Sequence, residues 1–219
     1  MKTYTTIAAL ALASVDARMW FGQCPTIEWE SGMDHARFAG NWYEQKRDNW
    51  MTMDMGQECT TGAMRLRDDG RLDVQWRTFV PMNFMQYSQS PVMQMDCSRS
   101  FQCDFNNEDK TPEQQAESDR KRAESSFEFG ILATDYDNWH VMYGCGEAWT
   151  FGNMQWFSIM GKQERISDEH IQEAIQALKD RVPGFDASEW LMKDGGQGDL
   201  WWGGKCEYEW DLDQIEKYA

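Results

Sequence analysis

From Arg71 to Val80, Leu72, Val74, Trp76 and Thr78 alternate with Asp73, Gln75 and Arg77. A period of two places the first set on one face of a β-strand and the second on the other. Glu58 to Arg67 precedes this stretch across Asp68-Asp69-Gly70-Arg71. Asp-Gly supplies the positive φ angles of a tight turn, so the two runs read as a hairpin. Further runs of strand length lie between turn residues at Asn41–Arg47, Val92–Cys97, Ser100–Phe105, Phe127–Tyr136, Trp139–Cys145 and Met154–Gln163. With the hairpin arms this makes eight strands. Their order and short connections predict an all-β, antiparallel up-and-down barrel, whose closure removes exposed edges and whose interior has room for one small ligand.

The period changes after Ile166. Ile171, Ile175, Leu178 and Val182 form an apolar stripe at helical spacing. Ser167 is a capping residue, Asp168 and Glu169 suit the N-terminal dipole, and Pro183-Gly184 ends the helix. The stripe requires burial, and the outside of the barrel offers a surface for it. A second helical pattern starts at Thr111-Pro112, with Gln114 placed for a capping box. It is polar all round, which reads as a solvated excursion between strands.

MKTYTTIAALALASVDA places Lys2 before an apolar run from Ile7 to Val15, with small residues at Val15 and Ala17. This is the order of a secretory leader, and cleavage is expected near Ala17. The apolar run is less than half of the ~20 residues that span a membrane. The expected organisation is a leader at 1–17, a barrel domain at 18–206 with a polar insertion at 106–124, and an acidic tail at 207–219. In a secreted or lumenal protein, cysteines read first as disulfides. Cys24, Cys59, Cys97, Cys103, Cys145 and Cys206 contain no Cys-x-x-Cys pair, and only His35, His140 and His170 could join them as ligands. No metal site is expected, and the pairing is open at this point.

The formal net charge of −16 argues against nucleic acid and anionic membrane surfaces as partners. It suits a soluble surface and leaves room for a basic protein partner. Twelve Trp, 11 Phe, 7 Tyr and 15 Met supply a core and a lined cavity. No Gly-x-Ser-x-Gly occurs, and the three histidines sit in unrelated contexts. Close pairs among 37 acids carry no weight as a glycosidase signal. No catalytic residues are assigned, and no cofactor is expected beyond an apolar small-molecule ligand.

Three blocks in order, FAGNWYEQKRD, ILATDYDNW and FSIMGKQERISDE, resemble the lipocalin family, most closely its apolipoprotein D-like branch. Gly40 and Trp42 match the family's G-x-W strand, and Thr134, Asp135 and Tyr136 its T-D-Y motif. Lys162 stands where the family has Arg, with Arg165 three residues on. The resemblance implies that Trp42 lies across the closed end of the barrel under a cation from the last strand. Lys162 supplies charge without the planar stacking of Arg, so either the closed end is weaker here or Arg165 takes the role. The resemblance also implies the disulfides Cys24–Cys145 and Cys59–Cys206, which leaves Cys97 with Cys103.

A cysteine bridged to a segment outside the barrel points outward, so alternation turns its neighbours inward. Counting from Cys59, the inward set is Thr60, Gly62, Met64 and Leu66. Counting from Cys145, it is Gly144, Met142 and His140, with Tyr143 and Trp139 outside. Lys162 at the closed end puts Met160, Ser158, Trp156 and Met154 inside, and the apolar face of the hairpin adds Leu72, Val74 and Trp76. The candidate ligand-binding residues are thus Met64, Leu72, Val74 and Trp76; Phe129 and Ile131; His140 and Met142; and Met154, Trp156 and Ser158, with Glu44 a further polar candidate. The expected function is carriage of a lipid, sterol-like molecule, retinoid-like polyene or pigment. Two alternatives are an isomerase using a free cysteine inside the barrel, and an interaction subunit with a plugged barrel.

Overall fold

The computed structural model describes residues 20–48, 57–80, 86–90, 92–98, 100–106, 111, 113–114, 116–117, 120, 127–148, 152–188, 193–198, 200 and 204–208. The expected leader, most of the insertion and the end of the tail lie outside these residues. The strands are β1 (Trp20–Phe21), β2 (Gly40–Arg47), β3 (Glu58–Leu66), β4 (Leu72–Val80), β5 (Gln86–Gln89), β6 (Met93–Asp96), β7 (Asp104–Asn106), β8 (Phe127–Thr134), β9 (Trp139–Ala148), β10 (Gly152–Gly161) and β11 (Lys193–Asp194). Two helices are described in full, α1 (His35–Phe38) and α2 (Asp168–Arg181).

The antiparallel order is β7-β6-β4-β3-β2-β10-β9-β8. Both ends of this path meet at a bridge between Gln102 and Gly130, flanked by Ile131 N–H donating to the Phe101 carbonyl at 2.9 Å and Cys103 N–H to the Phe129 carbonyl at 3.1 Å. β5 and β6 pair with opposite ends of β4 and so share one position in the barrel. The short strand β5, rich in Gln and Ser, has no alternation of apolar and polar residues to announce it. The expected strand at Ser100–Phe105 is reduced to the Gln102 bridge and β7.

Helix α2 packs its stripe on the outer faces of β8, β9 and β10. Ile171, Ala174, Ile175 and Leu178 form one cluster with Leu132, Trp139, Val141, Tyr143, Phe157 and Ile159. Burying a side chain such as Leu178 in full is worth about 1.5–3 kcal/mol. Ser167 caps the helix by accepting the His170 N–H. In the insertion, Thr111 N–H donates to Gln114 Oε1 at 2.8 Å and Gln114 N–H to Thr111 Oγ1 at 3.3 Å, a capping box ahead of helical Glu117 and Arg120.

Three disulfides join Cys24 to Cys145, Cys59 to Cys206 and Cys97 to Cys103, the pairs implied by the family resemblance. The second fixes a C-terminal strap. β2 pairs with β3 only over Gly40–Tyr43, and at Lys46 and Arg47 its partner is β11. Gly195 N–H then donates to the Gln45 carbonyl, and Gln197 Nε2 to the Thr60 carbonyl, both at 2.9 Å. The strap therefore bridges the seam where β2 and β3 part. Tyr208 closes it over Tyr43, with ring centroids 5.2 Å apart.

Candidate functional site

The closed end is built around Trp42. Its indole Nε1–H donates to the Phe38 carbonyl at 2.9 Å, and its ring lies 4.1 Å from Lys162 Nζ. The Lys162 ammonium also donates to the carbonyls of Ala39 and Phe38, at 2.6 and 3.2 Å. Burial lowers the Lys162 pKa to about 8, against the opposing pull of Asp137. Gly40 has φ +130°, and a Cβ there would stand 2.8 Å from Lys162 Nζ, so the glycine of G-x-W admits the cation. Arg165 takes no part in this; its guanidinium donates to the Gln197 carbonyl at 2.9 Å and holds the strap.

The T-D-Y residues tie the β8–β9 turn at the same end. Asp135 Oδ1 accepts the N–H groups of Asp137, Asn138 and Trp139 at 2.8–3.1 Å. Burial alone would raise the Asp135 pKa, and these donors outweigh it and hold it low. Thr134 Oγ1 donates to the Trp139 carbonyl at 2.9 Å, and Tyr136 stands edge-on to Phe38. Asp135, His170 and Glu173 bring three ligand-type atoms within 4.8 Å of one another. All three are committed: Asp135 to the turn, and Glu173 to both the Trp139 indole N–H and His170 Nδ1, each at 3.0 Å.

Above this floor the barrel is filled, which corrects several candidate positions. Met64, Leu72, Val74 and Ile131 are fully buried in one cluster with Phe38, Trp42 and Met160 and do not line the cavity. They face inward, but at a depth where side chains from opposite walls meet. His140 lies there too, its ring centroid 4.3 Å from that of Trp42 and 4.8 Å from that of Phe38. It is a core histidine, and among the described residues neither ring nitrogen has a hydrogen-bond partner. Met154 is corrected in the other direction: it is 38% exposed and lies beyond the cavity, because its strand outruns it. Leu66, expected to face inward, is exposed where β3 enters the Asp68–Arg71 turn.

Burial, and after it the charge of Lys162, holds the His140 pKa well below its usual value. Above about pH 6.5 the ring is neutral both folded and unfolded. Below that only the unfolded chain takes up the proton, so stability falls with pH by up to about 1.4 kcal/mol per unit. His140→Leu is expected to flatten the stability profile between about pH 6.5 and 5, measured by urea unfolding. An unchanged profile would show that His140 does not set it.

The open half holds a cavity of ≈ 460 Å³. Trp76, Met142, Trp156, Ser158 and Phe129 line it, as does Thr60. Phe129 and Trp156 stack with centroids 5.0 Å apart. Trp76 pairs across the ladder with Gly62, and Trp156 with Gly144. A Cβ on either glycine would come within 2.6 or 2.5 Å of the facing indole. These glycines let both rings lie flat on the wall, which keeps the middle of the barrel open.

Alternation put Thr78 on the face of Trp76, where it lines the cavity, but missed Arg47, Asp48, Gln57 and Met93. For Arg47 the cause is a β-bulge. Met160 faces Glu44 and Ile159 faces Lys46, so Gln45 is an extra residue on β2. Its amide is held by the Tyr43, Gln163 and Glu164 carbonyls and by Ile166 N–H. In a regular strand Glu44 and Arg47 would point to opposite faces. The bulge turns both inward, where Arg47 Nη1 meets Glu44 Oε2 at 2.6 Å with both side chains under one-tenth exposed. Ser158 Oγ donates to Glu44 Oε1 at 2.8 Å, Arg47 Nη2 to the Gln57 carbonyl, and Phe157 N–H to Asp48 Oδ2 at 3.0 Å. The charged run Glu44 to Asp48 is the one sequence signal for this wall.

No family model matches the sequence, and no curated protein does. Solved structures do. Apocrustacyanin C1 superposes with TM-score 0.59 at 14% identity, over 91% of this chain and 97% of that one. The chain has the lipocalin fold. Insecticyanin from the tobacco hornworm Manduca sexta gives 0.53 at 17% identity, over 80% and 88%. A biogenic amine-binding protein gives 0.53 at 16%, over 89% and 94%. At such identities the lipocalin likeness speaks for architecture: a barrel closed at one end, an outer helix, and an open half that holds the cavity.

Proposed function

We propose that the protein is a secreted, non-enzymatic carrier of the apolipoprotein D-like kind, holding one small apolar or amphipathic molecule in the open half of its barrel. The ligand class is a lipid, sterol-like molecule, retinoid-like polyene or pigment. The observation that carries this reading is the cavity of ≈ 460 Å³, with indoles on its wall and a few buried polar groups. Ligand sites have this character: mostly apolar, with sparse orienting atoms. The leader pattern and three disulfides support secretion. The three sequence blocks and the disulfide pairing support the branch.

Both alternatives fare worse. An isomerase of the expected type needs an unpaired thiol, and all six cysteines are in disulfides. A plugged interaction subunit needs a filled barrel, and the described residues fill the closed half and leave a cavity in the open one. One structural neighbour is a biogenic amine-binding protein, which adds amines to the ligands worth testing. Trp76→Glu puts a carboxylate on the apolar wall and is expected to weaken binding of an apolar fluorescent probe at least about tenfold. Leu66→Glu, exposed at the closed end, is expected to leave binding unchanged. Equal binding by folded Trp76→Glu would overturn the carrier reading.

A further inference from the structure

We propose that the cavity selects amphipaths whose polar head donates hydrogen bonds and carries no negative charge, a hydroxyl or an amine, over carboxylates. The head sits at Glu44, Arg47 and Ser158, and the chain runs along Trp76, Phe129 and Trp156. This rests on the carrier reading and adds the chemistry of the head.

Strand order fixes the layout. β2 and β10 are neighbours, and this part of the wall carries the charged groups, Glu44, Arg47 and Asp48, beside Ser158, while the Thr60 and Thr78 hydroxyls on β3 and β4 are bonded to each other at 2.8 Å. Trp76, Met93 and Phe129 come from β4, β6 and β8, on other parts of the wall. Among the described residues the polar wall holds two carboxylates and one guanidinium, and the guanidinium is bound to Glu44. A carboxylate head entering here faces Glu44 and Asp48. To reach Arg47 it must displace Glu44, leaving a buried carboxylate without its counter-charge, the costly outcome for a buried pair. A hydroxyl donates to a carboxylate oxygen or to Ser158 Oγ with the ion pair intact. An ammonium donates to the same oxygens and adds positive charge beside them.

The test uses three probes with one chain, dodecanol, dodecylamine and dodecanoate, displacing an apolar dye from the intact protein near neutral pH. Dodecanol and dodecylamine are expected to bind at least about tenfold tighter than dodecanoate. A preference for the amine over the alcohol would assign the selection to charge, and equal binding of these two to hydrogen-bond donation. Glu44→Gln is expected to shrink or invert the gap, because it releases Arg47. Asp48→Asn keeps the ion pair and the acceptor for Phe157 N–H, and is expected to shrink the gap as well. Dodecanoate binding as tightly as dodecanol overturns the proposal and leaves the carrier reading standing. A gap unchanged in both variants overturns its assignment to this wall. If neither dye nor probes bind, the carrier reading falls and the proposal with it.

Discussion

Trp42→Ala is expected to lower the unfolding free energy by about 3–5 kcal/mol, read as a lower urea midpoint with the disulfides intact. Trp42 is fully buried, and removing the indole opens a void among Phe38, His140, Met64 and Met160. The void forms where the surroundings collapse poorly, because Lys162 is held by two backbone carbonyls as well as by the ring. The variant also leaves a half-buried ammonium without its aromatic face, a contact worth about 0.5–2 kcal/mol. Lys162→Met, which keeps the indole, is expected to cost only an amount in that smaller range. A loss under about 1 kcal/mol for Trp42→Ala would show that the floor is not packed around this residue.

Arg47→Leu is expected to cost about 3–5 kcal/mol, and Glu44→Leu a similar amount, because each leaves one buried charge uncompensated. The double variant Glu44→Leu/Arg47→Leu is expected to lose much less than the sum, since it removes both charges together. Four urea titrations complete the cycle. Lowering the pH should shrink the Arg47→Leu deficit, because the stranded carboxylate protonates more readily in a buried site. Additive single costs would show that Glu44 and Arg47 act independently, and the bulge would then lose its energetic role.

These residues also show what was legible in the sequence. Leu72, Val74 and Trp76 announce their face by alternation, and Met142, Tyr143 and Trp139 inherit theirs from the outward Cys145. Alternation gives direction without depth, so His140, Met64 and Ile131 face inward in the filled half while Met154 overshoots the rim. Nor does it register a bulge. The extra residue at Gln45 arises from the carbonyls and amide that its side chain meets after β10. Those contacts are more than a hundred residues away along the chain. The strap was hidden for a related reason: Lys193 and Asp194 form a strand only because β2 offers an unpaired edge there.

That strap has a consequence for how the molecule is made. A chain emerging from a ribosome at roughly 5–20 residues per second folds from its N-terminal end. β2 and β3 are among the first elements to appear, yet the seam between them is bridged by Lys193 to Gln197 and fastened by a disulfide across a separation of 147 residues. The wall that carries Glu44, Arg47 and Thr60 is thus unfinished until the strap has been released and oxidised. On the carrier reading, a complete vessel exists only once Cys206 has emerged and paired with Cys59, which places loading after that step.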